Sequence, residues 1–377
     1  EYKRSRNEEI AGMTKVNLRN MSLFDDGAWA FAAFMQRNSL IKYLDVSFNN
    51  ISDDGMQAIG TVLPMLLQLE TFKANGNGFG IDGVRYIVPA LAASTVITHV
   101  ELSGNNIGDD GAEYIAQNLI PRHKYLRSLY IDDNKIGNDG AEQIGEGLLH
   151  NKYLETLSIS KNLIYTYGAM RICFAVQSNG TLKYFRINDN PLGAPGARHL
   201  GEMLLMNGSL AYVDASNIDL QRNKDGSGLT MITSAIEKNK VLQFLSLRNG
   251  KITDLQAIDL IQALKNNLTI AHIDLRGNPI SAHFFTLDTF FETKLGPRTP
   301  SIATRMAEIQ ELKANPAAKK FIGKLREVDA EDDGKWTWRR KWKKIDRRAE
   351  ARRAKALLGA QEEENIALEN EYCSEQL

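Results

Sequence analysis

Apolar and polar positions repeat along this chain with a period of about 28 residues. The segment Leu44–Ile51 (LDVSFNNI) returns in closely similar form at Val100–Ile107 (VELSGNNI). Related segments begin at residues 129, 157, 185 and 273. Apolar residues alternate with polar ones in these segments, as in a strand that buries one face, and then follow at helical spacing, as at Ile144 and Leu148. The pattern predicts about ten units, each composed of one strand and one helix.

One polar position recurs at the point where each predicted strand ends. Its ten occurrences are separated by 28, 28, 28, 29, 28, 28, 28, 32 and 28 residues, and seven of them are Asn. An Asn amide can hydrogen-bond to backbone groups that a buried turn would otherwise leave unpaired. We therefore predict a structural ladder made of Asn49, Asn77, Asn105, Asn134, Asn162, Asn190 and Asn278. The other three units have Met21, Ile218 and Gly250 at this position.

Aspartates recur where the predicted helices begin. In most units a Gly follows the ladder position by six residues, and Asp-Asp-Gly triplets occur at residues 25–27, 53–55 and 109–111. A carboxylate at a helix start accepts backbone N–H hydrogen bonds, so we expect these aspartates to act as helix N-caps. Their spacing does not match that of a calcium-binding EF-hand loop.

One unit cannot bury its own apolar face, so we expect the units to stack around a continuous core. The chain resembles the leucine-rich repeat family, and within it the ribonuclease-inhibitor type, in its period and in its strand–helix units. The resemblance implies an α/β solenoid, or horseshoe, of about ten repeats over residues 13–295, after a lead-in of residues 1–12. Four extra residues near Gln221–Gly228 predict a local loop, which is either a tolerated insertion or a contact site.

A helical extension is predicted after the repeats. Residues 281–295 are rich in Phe and are expected to form the helix of the last repeat. The sequence Gly296–Pro300 (GPRTP) then breaks the chain. Apolar residues at helical spacing follow, so residues 296–334 are predicted to form a helical cap that covers the open end of the solenoid.

Charge is strongly segregated in the last 43 residues, although the whole chain has 46 basic and 46 acidic residues. Residues 335–355 contain eleven Lys or Arg and two acidic residues, and residues 356–377 contain six Glu and no base. Residues 335–377 are therefore predicted to form a charged helical arm that binds an acidic surface, with a solvated extension as the alternative. The candidate surfaces are a tubulin tail, nucleic acid and anionic lipid. The predicted contact residues are Trp336, Trp338, Arg339, Arg340, Trp342, Lys343, Arg347 and Arg348.

The resemblance implies that polar residues of each strand line the concave face. Small polar residues occupy these positions in the middle units, whereas the last four units have aromatic residues and arginines there. Tyr, Phe and Arg are enriched at binding hot spots, so a partner is expected to bind here. The alternatives are that the aromatic residues simply stack as cross-strand neighbours, or that they lie under the C-terminal extension. The predicted partner-binding residues are Tyr184, Arg186, Tyr212, Asp214, Phe244, Arg248, His272 and Arg276.

No catalytic chemistry is evident in the sequence. It contains no zinc-protease, phosphate-loop or nucleophile-elbow motif, and its two cysteines do not make a zinc site or a disulfide framework. No catalytic residue, metal or cofactor is therefore predicted, and the protein is not expected to be an enzyme. No run of about 18 apolar residues occurs, so no transmembrane helix is predicted.

These features favour a non-enzymatic scaffold for protein–protein interaction, or a structural subunit of a larger assembly such as those of the cytoskeleton or cilium. Two alternatives remain open. The repeat is also similar to that of Ran GTPase-activating proteins, for which Arg19 is the candidate early-loop arginine. A subunit of an RNA-containing or mitochondrial complex would fit the basic arm. We expect a cytoplasmic protein, or a mitochondrial one if a leader was removed before Glu1.

Overall fold

A computed structural model gives the structure of the repeat region. The described residues are 13–35, 40–121, 123–220 and 226–280. The predicted lead-in, the helix at 281–295, the cap at 296–334, the charged arm and most of the four-residue surplus lie outside the described residues. Chain contacts divide the protein into a unit of residues 1–287, which contains all of the described structure, and a second unit of residues 288–377.

The described strands form one parallel sheet in which they follow the order of the chain. Each strand has three residues, and the register is constant, so that Val16 pairs with Leu44 and Leu44 with Phe72. The strands are β1 Lys15–Asn17, β2 Tyr43–Asp45, β3 Thr71–Lys73, β4 His99–Glu101, β5 Ser128–Tyr130, β6 Thr156–Ser158, β7 Tyr184–Arg186, β8 Tyr212–Asp214, β9 Phe244–Ser246 and β10 His272–Asp274. We number the repeat units 1 to 10 after these strands.

A helix follows each strand from β1 to β9. One side of each helix carries apolar residues at helical spacing, and this side is buried because it packs on the sheet. Ile144 and Leu148 are examples of such buried residues. The helices are α1 Phe24–Met35, α2 Asp53–Val62, α3 Ile81–Ala93, α4 Gly108–Asn118, α5 Asn138–His150, α6 Thr166–Ser178, α7 Gly193–Met206, α8 Ser227–Lys238 and α9 Asp254–Asn266. A short 3-10 helix, Leu63–Met65, extends α2.

The core runs without interruption through the described repeats. The middle residue of nearly every strand is fully buried, as for Leu44, Phe72 and Phe185, and it contacts the apolar sides of the helices. Each strand and helix packs against its neighbours in the chain, which is the arrangement of a solenoid. The predicted α/β solenoid of strand–helix repeats is therefore confirmed.

Aspartates at the helix starts cap the helix of the next repeat. The Asp53 carboxylate, in the first turn of α2, accepts hydrogen bonds from the backbone of Gly80 and Gly83, both at 2.7 Å, at the start of α3. Asp109 binds Gly137 and Gly140 at the start of α5 in the same way. The N-capping predicted for these aspartates is present, and it acts between repeats, because the stacking brings the next helix start within reach of the carboxylate.

A second periodic set of side chains holds the ends of the helices, and the sequence analysis did not predict it. Asn207 donates to Val176 O and Asn179 O of the preceding repeat at 2.7 and 3.0 Å. Its side-chain oxygen accepts from the backbone of Ser209 and Leu210. The same position is held in successive units by Ser94, His123, Asn151, Asn179, Asn207, Asn239 and Asn267. The Asn-x-Ser/Thr triplets at three of these positions therefore contain buried, hydrogen-bonded amides.

Candidate protein-interaction face

Residues on either side of each central strand residue point away from the helices, since side chains alternate along a strand. We call this surface the sheet face. It carries the polar rows identified in the sequence, and the constant strand register aligns equivalent residues of successive units. The sheet face of units 7 to 10, which contain β7 to β10, holds the predicted partner-binding residues of the repeats.

The asparagine ladder supports the turns beside the sheet face. The Asn162 amide nitrogen donates to Ile131 O and Ile159 O at 3.1 and 2.9 Å. Its oxygen accepts from the backbone N–H of Asn134 and Ile136. One side chain therefore ties together the turns of adjacent repeats. Analogous amide hydrogen bonds are made by Asn49, Asn77, Asn105, Asn134, Asn190 and Asn278.

The residue before the ladder position has a left-handed backbone in every unit. Its φ is 61° at Phe48 and 54° at Lys161, a conformation that ordinary side chains rarely adopt. The other units have Gly, Asn or Asp, which tolerate this conformation best. These residues are Asn20, Gly76, Gly104, Asp133, Asp189, Asn217, Asn249 and Gly277. The recurrence of Gly, Asn or Asp just before the ladder position was the sequence signal for this left-handed turn.

Four aromatic rings form a continuous row across β7 to β10, which we call the aromatic file. Tyr184 and Tyr212 have ring centroids 6.1 Å apart and planes tilted by 40°. Tyr212 and Phe244 are stacked at 4.4 Å and 4°, and Phe244 and His272 at 5.3 Å and 13°. The predicted alignment of these four side chains is thus present, and they contact one another as cross-strand neighbours.

Arginines and aspartates flank the aromatic file. The Arg186 Nε lies 3.8 Å from an Asp214 carboxylate oxygen, and Arg276 makes a hydrogen-bonded ion pair with Asp274. Burial acts to raise the pKa of Asp274, but its hydrogen bonds with Arg276 outweigh that effect and lower the pKa. Arg248 is exposed, and no ion pair involves it within the described repeats. The predicted residues of the sheet face therefore form one charged and aromatic patch.

A second charged cluster lies on the sheet face of units 2 to 4. Glu101 contacts Lys73 at 2.9 Å, His99 at 2.8 Å and Asn75 at 2.6 Å. Burial by itself raises the pKa of Glu101, but the hydrogen bonds and charges of His99 and Lys73 outweigh it and hold the pKa at about 2. Tyr43 has a raised pKa, because it is buried and because its hydroxyl donates to the neighbouring Asp45 carboxylate. Each of these charges is thus already paired within the sheet.

The middle of the sheet face is lined by small polar residues. Ser158 and Ser160 are buried, and both donate to the Asp132 carboxylate, through the hydroxyl and the backbone N–H respectively. Burial raises the pKa of Asp132, although the Arg186 charge and these hydrogen bonds oppose it. Hydroxyls that are consumed by internal hydrogen bonds make poor anchors for a partner.

Arg19 lies in the first unit, away from this patch. Arg19, the arginine of the GTPase-activating alternative, stacks its guanidinium on the Phe48 ring at 4.2 Å in the first unit. The arm residues between 335 and 355 lie outside the described residues. Among the residues that the structure does describe, no group of His, Cys, Asp and Glu side chains has the geometry of a metal site. Within the same residues, no helix is long and apolar enough to span a membrane.

Comparison with known proteins supports the repeat assignment. The family model described as Leucine Rich repeat matches residues 37–60, 93–116 and 122–145. The chain is a leucine-rich repeat protein. The matched segments contain β2, β4 and β5 of the leucine-rich repeat sheet, and the remaining described repeats continue the same strand register. Assignment to the ribonuclease-inhibitor type stays a prediction.

Two solved structures resemble this leucine-rich repeat protein at low sequence identity. The C-terminal domain of tropomodulin from Caenorhabditis elegans aligns with 17% identity and a TM-score of 0.36, over 41% of this chain and 92% of that chain. An internalin from Listeria monocytogenes aligns with 15% identity and a TM-score of 0.36, over 73% of this chain and 84% of that one. No curated protein sequence matches the chain.

Proposed function

We propose that this leucine-rich repeat protein is a non-enzymatic scaffold, or a structural subunit of a larger assembly, that binds a partner protein through the sheet face of units 7 to 10. Leucine-rich repeats form protein–protein interaction domains. The observation that carries the proposal is the aromatic file of Tyr184, Tyr212, Phe244 and His272 with arginines beside it. Aromatic residues and Arg dominate the binding energy of protein interfaces.

The patch on units 7 to 10 is suited to binding because its side chains are preorganised in the free protein. The aromatic side chains stand on four hydrogen-bonded strands, and stacking restricts each ring. Side chains that are already ordered lose little conformational entropy on binding, which favours affinity. The serines of the preceding units are committed to internal hydrogen bonds, as for Ser158 and Asp132, so units 7 to 10 offer the better anchors.

The charged arm at 335–377 is proposed as a second contact of the same assembly. Its basic residues, including Trp336 and Arg339, fit an acidic surface by charge complementarity. Two separate contacts on one chain raise the overall affinity, since the second one becomes intramolecular once the first has formed. The proposed scaffold function requires only these two binding surfaces and no catalytic group.

Native affinity isolation of the full chain, followed by cross-linking mass spectrometry, tests this proposal. We expect a partner protein whose cross-links lie near the lysines closest to units 7 to 10, and whose recovery falls when Tyr212 and Phe244 are both changed to alanine. The matched control is Phe174→Ala, which removes an exposed Phe from α6 on the helix side. Equal recovery of the partner with the double variant and with the control would contradict the proposal.

A further inference from the structure

Two cations of unit 1 lie over aromatic rings of unit 2. The Nζ of Lys15, on β1, is 5.0 Å from the centroid of the Tyr43 ring on β2. The guanidinium of Arg19, in the turn after β1, is 4.2 Å from the centroid of the Phe48 ring. Both cations are exposed, and neither makes an ion pair with a described residue. We call these four residues the N-terminal patch.

The acidic side chains near the N-terminal patch are already bonded to other groups. The Asp45 carboxylate is buried and accepts hydrogen bonds from the Tyr43 hydroxyl and from the backbone of Ser47. Glu101 is paired within the charged cluster of units 2 to 4. Burial and the Asp45 carboxylate raise the pKa of Tyr43, and the Arg19 charge opposes them, so both cations act on the same ring. A carboxylate from outside the described repeats would supply their counter-charge.

The ring beneath Arg19 prepares its guanidinium for a carboxylate. The side-chain N–H groups of Arg19 donate to no residue that the structure describes. A guanidinium donates in its own plane, in a fork that fits both oxygens of one carboxylate, and it can do so while an aromatic ring lies against its face. The ring contact also restricts the side chain, so less conformational entropy is lost when an anion binds.

Phe48 is an unusual residue for its place in the repeat. Its φ is 61°, at the position where most other units have Gly, Asn or Asp, and bulky side chains rarely adopt this conformation. Its ring lies against Gly76, where an added Cβ would overlap it. Phe48 is nevertheless 43% exposed, so core burial does little to offset the backbone strain. Strained residues often belong to binding sites, and a partner contact would account for an exposed Phe here.

A protein segment suits the N-terminal patch better than nucleic acid does. Bases bind aromatic residues by stacking on their ring faces. Lys15 and Arg19 lie over the faces of the two rings, and Lys73 is also 5.7 Å from the Tyr43 centroid. The leucine-rich repeats are, in addition, a protein–protein interaction domain.

We propose that the N-terminal patch recognises an acidic segment of a partner protein. One carboxylate of that segment binds the Arg19 guanidinium, another binds the Lys15 ammonium, and an apolar side chain of the segment packs on the exposed part of Phe48. This surface belongs to units 1 and 2, and units 3 to 6 separate it along the chain from the patch on units 7 to 10. The inference therefore goes beyond the proposed function, and neither depends on the other.

Selection from a displayed library of random peptides tests the inference with the full 377-residue chain. Peptides that the wild type retains are counter-selected against the double variant Lys15→Gln/Arg19→Gln. Peptides that bind the charged arm or units 7 to 10 bind both proteins, so this step removes them. The matched control is Lys152→Gln/Lys240→Gln, which neutralises two exposed lysines that make no ion pair with a described residue.

The expected result is a counter-selected pool that is enriched in Asp and Glu. Affinity for these peptides should fall about tenfold or more with the double variant and stay within about twofold of the wild type with the control. An empty pool or a pool rich in Lys and Arg would overturn the inference and leave the proposed function in place. The same holds for a poly(U) RNA probe that the wild type binds and the double variant does not.

Phe48→Asn separates binding from folding. Asn tolerates the left-handed conformation, so this variant should melt within about 3 °C of the wild type or above it. Its affinity for the selected peptides should nevertheless fall about fivefold or more, because the apolar contact is lost. A lower melting temperature with unchanged affinity would show that Phe48 has a structural role only, and it would overturn this part of the inference.

Discussion

A single buried side chain often serves two repeats at once in this protein. The Asn162 amide nitrogen donates to one carbonyl of its own repeat and to one of the preceding repeat, and its oxygen accepts from two N–H groups of that preceding repeat. Those groups have no water to replace a lost partner, because Asn162 is 4% exposed. Replacing one ladder asparagine should therefore lower the stability of the fold by more than the small number of removed atoms suggests.

Replacing Asn162 with alanine should lower the free energy of unfolding by about 3 kcal/mol, since two buried N–H groups lose their acceptor. Asn118→Ala is the control, because its amide donates to Tyr114 O within the same helix and the site is half-buried. We expect a loss below about 1 kcal/mol there. Chemical denaturation of the two variants measures the difference, and equal losses would contradict the role given to the ladder.

His123 occupies a position that Asn holds in most later units. Its Nδ1 accepts from the backbone of Tyr125 and Leu126, and its other nitrogen lies 3.0 Å from Leu91 O. Burial lowers the pKa of His123 below the ordinary value of 6.5. The unfolded chain then binds a proton that the folded chain does not, so His123 makes the protein less stable as the pH falls below about 6.5.

His123→Asn should remove this contribution, because an Asn makes the same hydrogen bonds at Asn151 and Asn179 without titrating. We expect a smaller loss of unfolding free energy between pH 7.5 and pH 5.5 in the variant than in the wild type. Denaturant titrations at the two pH values provide the measurement. An unchanged pH dependence would show that His123 is not the titrating group.

Several helix starts are anchored by a side chain of the preceding repeat. Asp109, at the start of α4, accepts hydrogen bonds from Gly137 at 2.6 Å and from Gly140 at 2.9 Å, where α5 begins. A Cβ atom on Gly140 would lie 2.6 Å from that carboxylate and 2.8 Å from the Ile136 side chain. A Gly is therefore required at position 140 of the helix start, since the approach of the neighbouring repeat leaves no room for a side chain.

Gly140→Ala should consequently destabilise the protein by about 1–3 kcal/mol, as expected for overpacking. Gly208→Ala is the matched control, because nothing lies within 4 Å of its added Cβ. It should stay within about 1 kcal/mol of the wild type, since alanine there also restricts the unfolded chain. Thermal unfolding of both variants tests the difference. A double-mutant cycle with Asp109→Ala should show that the two changes are less than additive.

At the scale of the whole solenoid, stability depends on nearest neighbours. Strands pair in chain order and the helices do the same, so each unit contacts the one before and the one after it. Repeat arrays of this kind are stabilised by the sum of their interfaces. A defect in an inner unit therefore weakens two interfaces, whereas a defect at the last described strand weakens one described interface.

Leu157→Ala, in the middle of β6, should reduce the free energy of unfolding by about 2–5 kcal/mol, because Leu157 is fully buried in the core. Ile273→Ala in β10 should have a smaller effect, since Ile273 is half-buried at the edge of the described sheet. Hydrogen-exchange mass spectrometry should show faster exchange in units 5 to 7 of the first variant. Faster exchange spread evenly over all units would contradict the nearest-neighbour description.

The order of the units and much of the site were predictable from local sequence patterns. Alternation in the strands and the period of the Asn positions predicted the sheet, and the equivalent strand position in each unit aligned Tyr184, Tyr212, Phe244 and His272 in one row. The sequence pattern indicated only part of the helix capping between repeats. An Asp at a helix start looks the same whether it caps its own helix or the next one, because the distinction depends on contacts 28 residues away.

The sequence by itself determined the repeat, its strand–helix order and the residue types on the sheet face, because these follow from periodicity and strand alternation. The tertiary structure decided how those residues contact one another. Stacking of the repeats places ring against ring at Phe244, pairs Arg186 with Asp214 and leaves Arg248 exposed. Such pairings depend on side-chain conformation and on distances between strands, which a linear pattern of residues does not encode.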